Sequence, residues 1–144
     1  MRLLLADVIV DGMKSEWIEH AGHRIIYCDF RNFARDVDAL RIEVTETDDE
    51  ITRQPPMSVL ALIDVRGTTT SLEAVDVFKR SAARSKGFII RQAVVGVAGI
   101  QKILAQAVAR FSSEELHLFD TVEAAKEWLV KGHDGGGTKV APDV

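Results

Sequence analysis

The chain has 144 residues, 47% of them apolar and 28% charged, with a formal net charge of −4. That is enough for one domain with its own core, and it lacks the basic, aromatic-studded stripe of a nucleic-acid binder. A single cysteine, Cys28, excludes an internal disulfide framework and makes a reducing, cytoplasmic compartment the default.

Residues 1–14 read as an N-terminal extension. The run Leu3-Leu4-Leu5 is cut by Asp7, too soon for a secretory signal. Nothing approaches the roughly 20 apolar residues of a membrane span. Two readings of the first dozen residues stand: an extension ahead of a domain start near Met13, or a short strand or helix covering exposed core. Residues 17–20, the pair Ala21-Gly22 and residues 23–30 then read as a β-hairpin with a tight glycine turn. Asn32 is the expected N-cap of a long helix over about 33–53, marked by Phe33, Val37, Leu40, Val44 and Ile51. Pro55-Pro56 ends it.

Val59, Leu60, Leu62, Ile63 and Val65 form a continuous apolar run. A strand covered on one face would alternate, so this one is predicted to be covered on both. The loop Arg66-Gly67-Thr68-Thr69-Thr70-Ser71 leads into a helix over 71–85, expected to bury Leu72, Val75, Phe78 and Ala82 and to stop at Gly87. Residues 93–98 repeat the apolar-strand pattern. Gly99 then opens a helix carrying Ile100, Ile103, Leu104, Ala107, Val108 and Phe111. A short strand follows at 116–119. Asp120-Thr121-Val122-Glu123 reads as a capping box for a last helix with Val122, Ala125, Trp128 and Leu129 inward. Residues 133–144 have the composition of a disordered tail.

The resulting order, ββαβαβαβα over a domain at 15–132, is α/β with a mostly parallel sheet of four to five strands. If consecutive strands are neighbours, right-handed crossovers put most helices on one face. The other face then needs the long first helix, the N-terminal extension or a second subunit to cover it. The last option makes a homodimer an expected partner.

The segments FARDVDAL, SVLALIDVRGTTTSLEAVDVFKRSA, QAVVGVAGIQKIL and LHLFDTVEAAKEWL occur in that order. On them the chain resembles the SpoIIAA-like group of the STAS superfamily over roughly 15–130. The resemblance implies a βα superhelix related to the lipid-binding domain of CRAL-TRIO proteins. It also implies kinship with anti-sigma-factor antagonists, which are switched by phosphorylation of a serine at a helix start. The matching place is Thr69-Thr70-Ser71-Leu72, where those antagonists read Asp-Ser-Ser/Thr-Gly. Ser71 falls on the phospho-acceptor, Thr69 replaces the Asp, and Leu72 replaces a Gly that lets a kinase backbone approach. The phospho-switch is thus degenerate here.

Each candidate residue has a functional and a plain reading. Thr70 and Ser71 suit a phosphorylation or anion site at a helix N-terminus. Plainly read, Thr70 caps the helix with Glu73 completing the box, and Glu73 and Asp76 would repel a phosphate. Asp29 and Asp64, at neighbouring strand ends, suit a shared proton or a bound cation; plainly read, each bonds loop N–H groups. His20, His23, His117 and His133 lack zinc-ligand spacing, and Cys28 reads as a small buried hydrophobe. No nucleophile elbow is present. Gly96-Val97-Ala98-Gly99 lacks the dinucleotide fingerprint and reads as close strand–helix packing. Glu43, Glu46, Asp48, Asp49 and Glu50 make the far half of the first helix acidic, and Lys79, Arg80, Arg84, Lys86 and Arg91 make the end of the second helix and its exit basic. They are either solvated surface or complementary patches that steer a partner.

The expectation is a non-enzymatic regulatory or protein–protein interaction module with no cofactor, metal, nucleic acid or membrane span. Its contact surface is built on Asp64, Arg66, Thr69, Thr70 and Ser71. The alternative is a carrier of a small apolar ligand or lipid, which the CRAL-TRIO kinship implies. An enzyme built on Asp29 and Asp64 ranks last.

Overall fold

The computed structural model describes residues 2–5, 8–11, 13–69, 71–97, 116–131 and 138–140. Strands β1 (Arg2–Leu5) and β2 (Val8–Asp11) pair antiparallel in a two-stranded sheet of their own, inside the expected extension. The hairpin follows as β3 (Glu16–His20) and β4 (His23–Asp29). Its turn residues, Ala21 (φ 50°) and Gly22 (φ 82°), are both left-handed. A two-residue turn whose twist matches the strands requires that.

The first helix, α1, spans Val37–Ile51 and so starts later than the apolar spacing predicts. Its N-cap is Asp36, whose carboxylate accepts from the Ala39 N–H at 3.0 Å. Asn32 is no cap: it sits in the left-handed region (φ 63°) of a segment tied to the loop after the next strand. There the Asn32 N–H donates to the Arg66 carbonyl at 2.9 Å, the Ala34 N–H to Gly67 at 3.0 Å and the Thr69 N–H to Ala34 at 2.8 Å. Backbone groups already spent on a neighbouring loop cannot also start a helix.

The remaining elements are β5 (Val59–Asp64), α2 (Leu72–Ser85), β6 (Ile89–Val95), β7 (Leu116–Phe119), α3 (Val122–Lys131) and β8 (Thr138–Val140). The helix expected from Gly99 onward lies outside the described residues. In the main sheet the strands run in sequence order from β3 to β8; β4, β5, β6 and β7 are mutually parallel, and the two edge pairings are antiparallel. The fold is α/β. Five strands come from the core of the chain, and three residues of the stretch read as a disordered tail, Thr138–Val140, add a sixth at the edge.

Both faces of this sheet are covered, as the unbroken apolar run in β5 predicts. On one face Ile26, Cys28, Val59, Ala61 and Val94 pack under Leu40 and Val44 of α1 and Ala74 and Val77 of α2. On the other, Ile25, Leu60, Leu62, Ala93 and Val95 pack under Ala125, Trp128 and Leu129 of α3. The last helix therefore packs on the second face, an arrangement outside the three candidates the sequence offers. Leu72 also corrects its reading. It is 81% exposed, because at 100° per residue it stands about 200° round the helix from Ala74, opposite the buried side.

Of the five acidic residues in the far half of α1, Glu43 and Asp48 are buried and Glu50 is half-buried, while Glu46 and Asp49 stay exposed, so the expected acidic patch is thinned. The buried Glu43 carboxylate accepts the Lys14 and Ser15 N–H groups at 2.8 and 3.0 Å and the Ser15 hydroxyl at 2.9 Å, fastening the entry of β3 to α1. Glu50 accepts the Trp17 indole N–H at 2.9 Å. Asp48, with a side chain only 3% exposed, accepts the Ser81 hydroxyl at 2.7 Å and the Arg84 Nε–H at 3.1 Å across the α1–α2 contact. Burial pushes the Asp48 carboxyl up to about 6, and the bonds from Ser81 and Arg84 only partly offset that. A carboxyl whose folded value lies above its unfolded value binds protons more readily when folded, so this group weakens the fold as pH rises from about 4 to 6. Asp48→Asn should flatten that stretch of the stability profile, by on the order of 2 kcal/mol in urea titrations at pH 4 and pH 7. An unchanged slope would place the carboxyl in water.

Candidate functional site

The strand ends carry an internal repeat. Tyr27-Cys28-Asp29-Phe30-Arg31-Asn32 closes β4, and Leu62-Ile63-Asp64-Val65-Arg66-Gly67 closes β5. The two strands pair parallel with Tyr27 opposite Leu62 and Asp29 opposite Asp64. Side chains two apart share a face, so Tyr27, Asp29 and Arg31 line up beside Asp64 and Arg66. Each chain then turns left-handed at the next residue, Asn32 (φ 63°) or Gly67 (φ 77°), and the loops run on side by side.

Each arginine folds back onto the aspartate two residues before it. Arg31 donates from Nε to Asp29 Oδ1 at 2.9 Å and from Nη2 to Oδ2 at 3.1 Å. Arg66 donates from Nε to Asp64 Oδ1 at 2.9 Å and from Nη2 to Oδ2 at 2.7 Å. Asp64 is fully buried, and its Oδ2 also accepts the Tyr27 hydroxyl at 2.6 Å, with Arg31 Nε 3.9 Å away. Burial alone would raise the Asp64 carboxyl; bonds from Arg66 and Tyr27 and the Arg66 charge outweigh it and hold the group below the ordinary carboxylate range. Asp29 is held low in the same way, by Arg31 and then Lys14 against its burial. Burial, then the bond to Asp64, pushes Tyr27 up to about 12, so its hydroxyl stays a donor at neutral pH.

This geometry brings Asp29 and Asp64 together, as their positions at strand ends suggest, but not for either of the expected chemistries. A shared proton needs one carboxyl raised, and both are lowered. Each carboxylate is spent on its own arginine. Among the described residues no group of three or more His, Cys, Asp or Glu side chains is placed to hold a metal ion.

The rest of the expected surface continues from Arg66. The buried Thr68 hydroxyl donates to the Phe30 carbonyl and accepts the Phe33 N–H at 3.1 Å, locking the two loops together. Thr69 is held through its N–H by Ala34. Thr70 lies outside the described residues. Ser71, not Thr70, is the N-cap of α2; its hydroxyl accepts the Ala74 N–H at 3.1 Å, and Glu73 belongs to the first turn without closing a box on Ser71. Gly96 (φ 102°) serves strand-end packing: a Cβ there would lie 2.8 Å from the Arg66 backbone nitrogen, so its close neighbour is this loop and not a helix. Tyr27 and Arg31 are the site residues that single-motif reasoning misses. The repeated Asp-x-Arg, in register on neighbouring strands, is the signal that finds them.

A separate apolar cleft of about 80 Å³ lies between the sheet and the α1–α2 pair, bordered by Phe30, Ile63, Phe78, Val94 and Leu116. Pockets that enclose small organic ligands run to roughly 300–1,000 Å³. Cys28, at its base, is buried, and burial pushes its thiol up, so it is a core residue and no nucleophile. No described helix is long and apolar enough to cross a membrane. Comparison with protein-family models, with curated proteins and with solved structures finds no match to this chain.

Proposed function

We propose that this chain is a non-enzymatic, STAS-like, SpoIIAA-like regulatory module of the cytoplasm that works by protein–protein contact. Its docking surface is the loop 66–71 with the first turn of α2. Leu72 carries the reading: a large apolar side chain, 81% exposed, stands one residue from Ser71 in a loop that opens on half-exposed Arg66. An apolar anchor beside polar, backbone-locked residues is how a contact surface is commonly built. The lock between the loops supports it too, because a preorganised surface loses less entropy on binding.

A phospho-switch at Ser71 fits less well. Its hydroxyl already caps α2, and Glu73 adds negative charge in the same turn. The apolar-ligand carrier is the second reading, supported by the apolar cleft under α1 and α2, although the size of that cleft argues against anything as large as a lipid in it. Native mass spectrometry of freshly purified protein, showing a bound organic mass, would favour it over docking.

The docking reading is tested by placing a photo-crosslinking residue at position 72 and, as a control, at Ile42, another exposed apolar position on α1. Adducts formed in cells at 72, absent at 42 and abolished by Ser71→Glu, are the expected result. Equal labelling at both positions would remove this surface as a docking site.

A further inference from the structure

The forks that tie the two strand-end arginines to their aspartates do not use every donor these side chains carry. A guanidinium carries five N–H groups, and the carboxylate fork uses one on Nε and one on Nη2. Three N–H groups on each of Arg31 and Arg66 are not spent on the aspartate that holds it, and Tyr27 is a second neighbour of Arg66. The side chains are 38% and 50% exposed, whereas Asp64 is fully buried and Asp29 nearly so. The carboxylates therefore lie beneath and the cations face outward. Lys14 joins them: its ammonium, 3.8 Å from Asp29 Oδ1, donates to the Arg31 carbonyl at 2.9 Å. Arg31 also lies over the Tyr27 ring, 5.6 Å from its centroid, which further fixes its plane.

Three cations thus stand over two carboxylates, a local excess of positive charge on a chain that carries −4. Arg66 Nη2 and Arg31 Nε lie 2.7 and 3.9 Å from the same Asp64 oxygen, so the two guanidinium groups stand close together. Carboxylates that set the planes of arginines in advance are the usual support of a site that grips an oxyanion with forked bonds. A phosphate monoester, with its near-double charge and three acceptor oxygens, matches three cations better than a carboxylate does. Neither the apolar cleft under α1 and α2 nor a second cleft, bordered by Trp17, His23, Gln54 and Arg91 at the hairpin end of the sheet, is lined by Arg31 or Arg66. A phosphoryl group carried on a protein brings its own surface to such a site.

We infer that Arg31, Arg66 and Lys14 form a docking site for a phosphorylated side chain of a partner protein. This rests on the docking reading for its setting, since Arg66 opens the loop that ends at Leu72, and it adds the chemistry of the group recognised. No bond is made or broken; the site only reads the modification.

The test uses the full chain, a pool of short phosphoserine peptides, the same pool unphosphorylated, and inorganic phosphate. Binding is followed on the side-chain Nε–H NMR signals of Arg31 and Arg66. The phosphorylated pool should shift both signals and bind at least about tenfold more tightly than the unphosphorylated pool. Arg31→Lys and Arg66→Lys keep each aspartate paired with a cation, so the fold is retained, but they remove the fork; each should weaken binding by about fivefold or more. Arg53→Lys, on an exposed arginine paired with Glu50, should change nothing. Equal binding of the two pools, or indifference to both Arg→Lys changes, would overturn the inference. Inorganic phosphate binding as tightly as the phosphorylated pool would also overturn it, since the site would then serve a free anion. Leu72→Glu separates the two readings. Phosphopeptide binding that survives it, while crosslinking at 72 has failed, leaves the anion site standing without the apolar anchor; crosslinking without phosphate preference leaves only the anchor.

Discussion

Arg66→Ala is expected to cost about 2–3 kcal/mol of folding stability at pH 7, more than Asp64→Asn, at about 1–2 kcal/mol. The asymmetry follows from where each charge sits. Removing the Arg66 side chain leaves a fully buried carboxylate with the Tyr27 hydroxyl, the backbone N–H of residue 66 and a more distant Arg31 to face it. Removing the Asp64 charge leaves a guanidinium that is half exposed and can turn to water. That exposure, and the remaining Tyr27 bond, keep the first loss below the full cost of a stranded buried charge.

The pH dependence separates this account from simple loss of packing. In the wild type the Asp64 carboxyl is held low, so its contribution is present above the ordinary carboxylate value and is lost as pH falls through the folded value. In Arg66→Ala burial acts without its main opponent and the folded value rises. The gap between the two proteins should therefore be widest near neutrality and close as the pH falls through the carboxylate range. Chemical denaturation at several pH values measures it. Parallel curves at all pH values would show that Asp64 is not a buried charge.

Leu129→Ala should cost about 3 kcal/mol, whereas Leu72→Ala should change stability by less than about 0.5 kcal/mol. Both leucines read as inward positions of amphipathic helices, yet one is fully buried against Leu62 and Val95 and the other is 81% exposed. Leu129 belongs to the helix that covers the second face of the sheet. Its truncation opens a cavity between α3 and β5, measurable as a lower urea midpoint with an unchanged slope. A loss under 1 kcal/mol at Leu129 would mean that α3 is not firmly seated there.

The helix starts show how close sequence reasoning comes and where it slips. Asp36-Val37-Asp38-Ala39, Ser71-Leu72-Glu73-Ala74 and Thr121-Val122-Glu123-Ala124 share one pattern. In each, the first side chain accepts the N–H of the alanine three residues on. The acidic residue stands one place too early to close a capping box, and it acts instead on the helix dipole. Reading the glutamates as box partners shifts two starts by one residue, to Thr70 and Asp120. A polar run such as Thr69-Thr70-Ser71 offers several near-equivalent caps, and the choice among them depends on how the preceding loop is tied down.

Local chemistry determined the elements and much of their company. The hairpin at Ala21-Gly22, the doubly covered strand at 59–65, the stop at Gly87 and the pairing of Asp29 with Asp64 at strand ends all follow from spacing, turn residues and apolar runs, because those act over a few residues. Tertiary structure decided what lies on the second face, that Glu43 and Asp48 turn inward, and that Arg31 and Arg66 stand close together at one buried carboxylate. Those outcomes depend on strand order and helix phase, which bring together residues some 35 positions apart, and no local pattern encodes a distance across the sheet.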